Sequence, residues 1–194
     1  MACSSDDDAI QGENPNEEEV VPVEIADGEL SEILQETLNV SSADEITEER
    51  MAQITTLNLS NSIVADLSGL ETATNLEVLL ARDVDIADLT PLSDLTNLKE
   101  IDMRNANMDS QTDLSFLANL NSLEKIDFQN TAVEDISVLS GKNTLLHINL
   151  RETNVTDISA LENMVQLQFL NLNRAGGGNG IDNPEIIIPM ENLY

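Results

Sequence analysis

From Ile54 onward the same apolar spacing returns about every 22 residues, and a chain with that period folds as stacked copies of one short unit. Read from Leu145, one unit is LLHINLRETNVTDISALENMVQ, with large apolar residues at its positions 1, 4, 6, 11, 14, 17 and 20. Units begin at Ile54, Leu76, Leu98, Leu123, Leu145 and Leu167; four of the five spacings are 22 residues and the third is 25.

Positions 3 to 7 alternate, as in Glu100-Ile101-Asp102-Met103-Arg104, which is the period-two pattern of a half-buried strand. The rest of each unit is apolar about every third residue and too short for a long helix. An Asp recurs at position 13, in Asp66, Asp88, Asp113, Asp135 and Asp157, where its carboxylate accepts the backbone N–H two residues on and closes a tight turn. One unit cannot bury its own apolar edge, so neighbours stack and share a continuous core. The expected architecture is an α/β solenoid, with a parallel sheet along one face and turns along the other.

LxxLxL at the strand and D-[IL]-x-x-L on the return carry a resemblance to the leucine-rich repeat family, and to its internalin-like members with 22-residue units. Asp88-Leu89-Thr90-Pro91-Leu92 and Asp157-Ile158-Ser159-Ala160-Leu161 are examples. The resemblance covers residues 54–175 and implies an arc with the parallel sheet on its concave face and short turns or 3-10 segments on its convex face. The family often has Asn at position 9, forming a hydrogen-bonded ladder. Here that position holds Ser62, Val84, Ala106, Thr131, Thr153 and Ala175, so the ladder is absent or replaced. Lys142, at the apolar position 20, and the added segment around Asp109–Thr112 are expected to bulge on the convex side.

Before the repeats, residues 23–53 are expected to form a helical cap, as the internalin resemblance also implies. Leu30, Ile33, Leu34 and Leu38 share one helical face behind Asp27 as N-cap, and Thr47 starts a short second turn to Met51. Residues 1–22, MACSSDDDAIQGENPNEEEVVP, are acidic and nearly free of large apolar groups, a composition expected to be disordered. Cys3, the only cysteine, followed by Ser-Ser-Asp-Asp-Asp, resembles the mature start of a bacterial lipoprotein. That resemblance implies lipid attachment at Cys3 and a surface-exposed place in the bacterial cell envelope. A free cysteine in a cytosolic tail is the alternative. Residues 176–194 are expected to be a loop followed by a cover for the last coil or the start of a further repeat. Met190-Glu191-Asn192-Leu193 echoes Ala73-Thr74-Asn75-Leu76, although Glu-Asn-Leu-Tyr also begins an engineered protease site.

The formal charge is −29, and residues 1–50 hold 16 acids against Arg50 alone. No basic field is present to displace counterions from phosphates, so nucleic acid is not an expected partner. No apolar run reaches the roughly 18 residues that would span a bilayer. Membrane association is expected only through a lipid at Cys3, and the chain is expected to be a monomer.

In a leucine-rich repeat, strand positions 3, 5 and 7 face outward on the concave side. On those rows fall Arg82, Arg104, Lys125 and Arg151, four of the eight bases, together with the only His, His147. Arg174, at position 8, lies at their edge, and Val78, Leu80 and Phe169 add apolar contacts. Two readings stay open. In one the bases form a locally cationic site for a protein or an acidic glycan, since guanidinium makes forked hydrogen bonds to carboxylate, sulfate or phosphate. In the other they neutralise Asp102 and Asp127 on adjacent strands, which needs no ligand; the two are compatible, because such pairing also preorganises the arginines.

Other chemistry is thin. Asp83-Val84-Asp85-Ile86-Ala87-Asp88 lacks the Gly and the distant bidentate Glu of a calcium loop. Gly176-Gly177-Gly178-Asn179-Gly180 follows a strand as a phosphate loop does, yet no Lys-Ser/Thr or helix follows it. No nucleophile with a positioned base is visible, so neither an enzyme, a metal nor a cofactor is expected. The expected function is adhesion-like binding through strands 78–82, 100–104, 125–129, 147–151 and 169–174. The alternative is an envelope spacer with no ligand on the concave face.

Overall fold

The computed structural model describes residues 21–107 and 113–172. Cys3 with the acidic tether, the segment at Asp109–Thr112, Arg174, the Gly-rich loop and the C-terminal residues lie outside those described. Six strands make one parallel sheet in chain order: β1 Thr56–Asn58, β2 Val78–Leu80, β3 Glu100–Asp102, β4 Lys125–Asp127, β5 His147–Asn149 and β6 Phe169–Asn171. Their register follows the repeat, so Leu57, Leu79, Ile101, Ile126, Ile148 and Leu170 stand side by side. The first five are buried and Leu170 packs partly buried against them. The 25-residue third unit leaves this register intact, pairing Ile101 with Ile126.

On the return path each coil makes one 3-10 turn: Leu70–Thr72, Thr90–Leu92, Leu114–Leu117, Ser137–Leu139 and Ser159–Leu161. The position-13 Asp sets up every one. Asp66, Asp88, Asp113, Asp135 and Asp157 each accept a backbone N–H two residues on at 2.8 Å, from Ser68, Thr90, Ser115, Ser137 and Ser159. Hydrogen bonds from the side chains and then the backbone of Ser68 and Thr90 hold the carboxyls of Asp66 and Asp88 below their ordinary range, and those from the Ser115 backbone and side chain do the same for Asp113.

A second recurring device sits where the strand leaves the sheet. Position 8 is left-handed in every described coil, with φ of 61° at Asn61, 55° at Asp83, 57° at Asn105, 57° at Asn130 and 57° at Glu152. Asn and Asp tolerate that conformation through local hydrogen bonds; Glu152 does so less readily.

Position 9 makes no ladder between coils. Thr131 and Thr153 are buried, and their hydroxyls donate at 2.7 Å to Phe128 and Leu150 of their own coil. Side chains link the coils elsewhere, among them the residue before three of the units. There the Asn75 amide donates to Ala52 O at 2.8 Å, Asn97 to Thr74 O at 2.9 Å, and the Thr144 hydroxyl to Asn121 O at 3.1 Å.

Lys142 corrects an expectation. It does not bulge outward; it is buried, 4% exposed, and its ammonium donates to Ala118 O at 3.1 Å, Leu120 O at 3.3 Å and Asn121 Oδ1 at 3.5 Å. The aliphatic stem fills the apolar position while the head reaches carbonyls of the preceding coil. Burial pulls its pKa down.

The N-terminal cap comprises α1 Gly28–Leu38, a 3-10 turn Ala43–Glu45 and α2 Glu48–Met51. Leu30 and Leu34 are buried against the first coil, with Ile33 and Leu38 partly so. Asp27 caps α1 by accepting Leu30 N–H at 2.9 Å, and its other oxygen accepts Ala65 N–H at 3.0 Å and Asp66 N–H at 3.3 Å. One carboxylate thus ties the helix to the first coil. Thr47 caps α2 through Arg50 N–H at 3.4 Å.

Candidate functional site on the concave sheet

Strand parity delivers positions 3, 5 and 7 to the concave side, but not all of them reach solvent. At the centre Asp102 on β3 is 0% exposed. Arg82, one coil earlier, approaches it through Nε at 2.8 Å and a terminal nitrogen at 2.7 Å. Arg104 donates to the same carboxylate through Nε at 3.0 Å and a terminal nitrogen at 2.8 Å, and its Nε lies 3.4 Å from Asp127 Oδ2. Burial alone would raise the Asp102 pKa, but the hydrogen bonds from Arg104 and Arg82 outweigh it and hold the carboxyl below its ordinary value. Asp127, also buried, accepts from the Asn149 amide at 3.1 Å, which in turn donates to Gln129 Oε1 at 3.2 Å. Both position-5 aspartates were expected to face outward. They point to the concave side and lie beneath the side chains that bind them.

The other bases are matched as well. Lys125 donates to Glu100 at 2.6 Å, and Arg151 stands 3.7 Å from Glu152. Among the described residues, the four cations on these rows thus each meet a carboxylate. Asp102 and Asp127 pair with the central guanidinium groups, and that pairing holds the arginines in place on the concave side.

The remaining candidates fall into two places. Val78 and Leu80 are half-buried on β2, beside the arginine clamp. At the far end, His147 on β5 and Phe169 on β6 stack, with ring centroids 6.1 Å apart and planes inclined by 26°. Phe169 is 43% exposed, and the Arg151 side chain is 50% exposed on the same face. Arg174 lies outside the described residues, so its place in this group is not part of the geometry. Among the described residues no cluster of three or more His, Cys, Asp or Glu could hold a metal, and no helix is long and apolar enough to cross a membrane.

No protein-family model and no curated protein sequence matches the chain. Solved structures do. An internalin (InlF) from Listeria monocytogenes superposes with a TM-score of 0.79 at 28% identity, over 90% of this chain and 51% of that one. The functional domain of InlJ from the same organism, which includes a cysteine ladder, gives 0.62 at 23% identity over 75% of this chain and 31% of that one. A leucine-rich repeat protein from Leptospira interrogans gives 0.58 at 21% identity, over 66% and 34%. The chain spans about half the length of the InlF structure. Its single cysteine precedes the repeats, so no cysteine ladder runs through them.

The open parallel sheet, the 3-10 turns and these neighbours define a leucine-rich repeat solenoid. Within that class the chain is internalin-like, in its 22-residue units and in its structural neighbours.

Proposed function

We propose that this chain is a non-catalytic binding module that recognises a macromolecular partner, protein or glycan, through its concave sheet. The observation that carries the reading is the exposed Phe169 ring, stacked on His147 on the strand platform, with the exposed Arg151 on the same concave face. Aromatic and arginine side chains held in place are the usual anchors of recognition surfaces, because they bury much area for little loss of freedom. The internalin-like architecture supports the same reading as an analogy of fold. Attachment to a bacterial cell surface by a lipid at Cys3 belongs to this proposal, supported by the Cys-Ser-Ser-Asp-Asp-Asp sequence alone. Fatty-acid labelling of Cys3 behind a native leader tests it, and an unlabelled Cys3 removes it.

A second reading has its own support. Because Arg82 and Arg104 are spent on Asp102, the centre of the sheet is explained without any ligand, as a spacer would require. A screen against protein and glycan panels, run with wild type and with Phe169→Ala/Arg151→Glu, separates the two. A hit lost by the variant at unchanged Tm supports the binding module. A hit that the variant keeps moves recognition off this face, and an empty screen favours the spacer.

A further inference from the structure

The pairing of the concave charges narrows the chemistry of the partner. We infer that the ligand of the concave sheet is an uncharged glycan chain, with one sugar ring seated on the Phe169–His147 pair. This rests on the concave-face reading above and goes beyond it by choosing the ligand class.

Charge provides the first argument. Outside this face the chain is strongly anionic, −29 in all, while the four concave cations are matched by four carboxylates. An anionic ligand would approach through a repulsive field to a surface on which Arg82, Arg104, Lys125 and Arg151 each already face a carboxylate. A strongly cationic one would find its partners on the acidic flanks, with no gain from entering the concavity. A neutral ligand meets neither penalty.

Hydrogen-bonding capacity provides the second. Sugar hydroxyls donate and accept at once, and ion pairs locked by neighbours offer both functions on fixed atoms. Arg104 and Arg82 retain N–H groups not spent on Asp102, and the Lys125–Glu100 pair stands on the same row as His147 and Phe169. Because the network is already closed, presenting these groups costs little reorganisation.

Shape provides the third. The exposed Phe169 ring is a flat apolar platform that fits the C–H face of a pyranose, and the stack on His147 fixes its orientation. Six strands at the usual spacing of about 4.8 Å give an open floor about 24 Å long, room for several rings of an extended chain.

The test uses the full chain and an array of neutral oligosaccharides, with heparin and polygalacturonate as anionic controls. His147, the only histidine, gives a single set of imidazole NMR signals at the proposed site. A neutral oligosaccharide should shift those signals saturably. Its affinity should fall about tenfold in Phe169→Ala, the scale of one lost ring contact, and survive in Phe169→Tyr. Binding confined to the anionic chains overturns the inference, as does an array without a neutral ligand, or neutral binding that Phe169→Ala leaves intact. A protein ligand that Phe169→Ala weakens, with no glycan bound, overturns the glycan while sparing the concave-face reading. A ligand indifferent to every concave substitution removes both.

Discussion

Arg104 holds Asp102 by two hydrogen bonds, from Nε at 3.0 Å and from a terminal nitrogen at 2.8 Å, on a carboxylate with no solvent exposure. A buried carboxylate without such a partner would cost several kcal/mol, so this contact decides whether the middle of the sheet is stable. It also decides what the middle of the sheet has left to offer a ligand.

Arg104→Ala should therefore destabilise the fold by about 2–3 kcal/mol, less than a complete stranding of Asp102 because Arg82 stays. Urea unfolding should show a lower midpoint at unchanged slope. A shift within about 0.5 kcal/mol, the range of ordinary surface substitutions, would contradict the clamp.

Acid should act through the same carboxyl. Its folded pKa lies below the ordinary 3.8, so the unfolded state takes up the proton first. The stability Asp102 contributes is complete above that value and is lost as the pH falls through the lower, folded one. Arg82→Met/Asp102→Asn/Arg104→Met should flatten this acid limb in pH-dependent melting. An unchanged limb would assign the acid sensitivity to other carboxylates.

Lys142 runs the other way. Its folded pKa is lowered by burial, so the unfolded chain holds the proton more tightly and stability rises with pH as it approaches the ordinary 10.5. Lys142→Met puts an apolar residue where Met164 sits one repeat later, 1% exposed. It should be neutral or stabilising by about 1 kcal/mol, and should lose the alkaline rise. A loss of more than about 2 kcal/mol would show that the three oxygens depend on the ammonium.

Gly69 is required by a close approach. Its φ is +97°, and a Cβ there would stand 2.7 Å from Glu24 O and collide with the Ile25 side chain, where residues 23–25 cross the first turn. Gly69→Ala should cost at least about 2 kcal/mol in thermal unfolding. Gly28→Ala, with nothing within 4 Å of its Cβ, should be neutral or better and serves as the control. Equal melting of the two variants would contradict this packing.

The architecture was legible because stacking makes spacing do most of the work. Leu57 through Leu170 align simply because each lies one repeat from the next, and the position-13 Asp announces its turn by its own chemistry. Parity could not show that Asp102 is buried. It places the residue on the concave side correctly, while the long side chains of Arg82 and Arg104 then fold back over it. At Lys142 a charge at an apolar position suggests exposure, whereas the long stem lets the head reach sideways to carbonyls. The left-handed position 8 was recorded in the recurring Asn61, Asp83, Asn105 and Asn130, and obscured by Glu152 and Arg174. The stacking of His147 on Phe169 follows from their shared row; that Phe169 keeps 43% of its surface free does not.

The most direct test of the binding account is to map a bound partner by amide exchange and by the His147 imidazole signals together. Protection at β5 and β6 with a shifted His147 is the predicted result. Protection confined to the convex turns, around residues such as Asp88 and Asp135, with His147 unmoved, would contradict it.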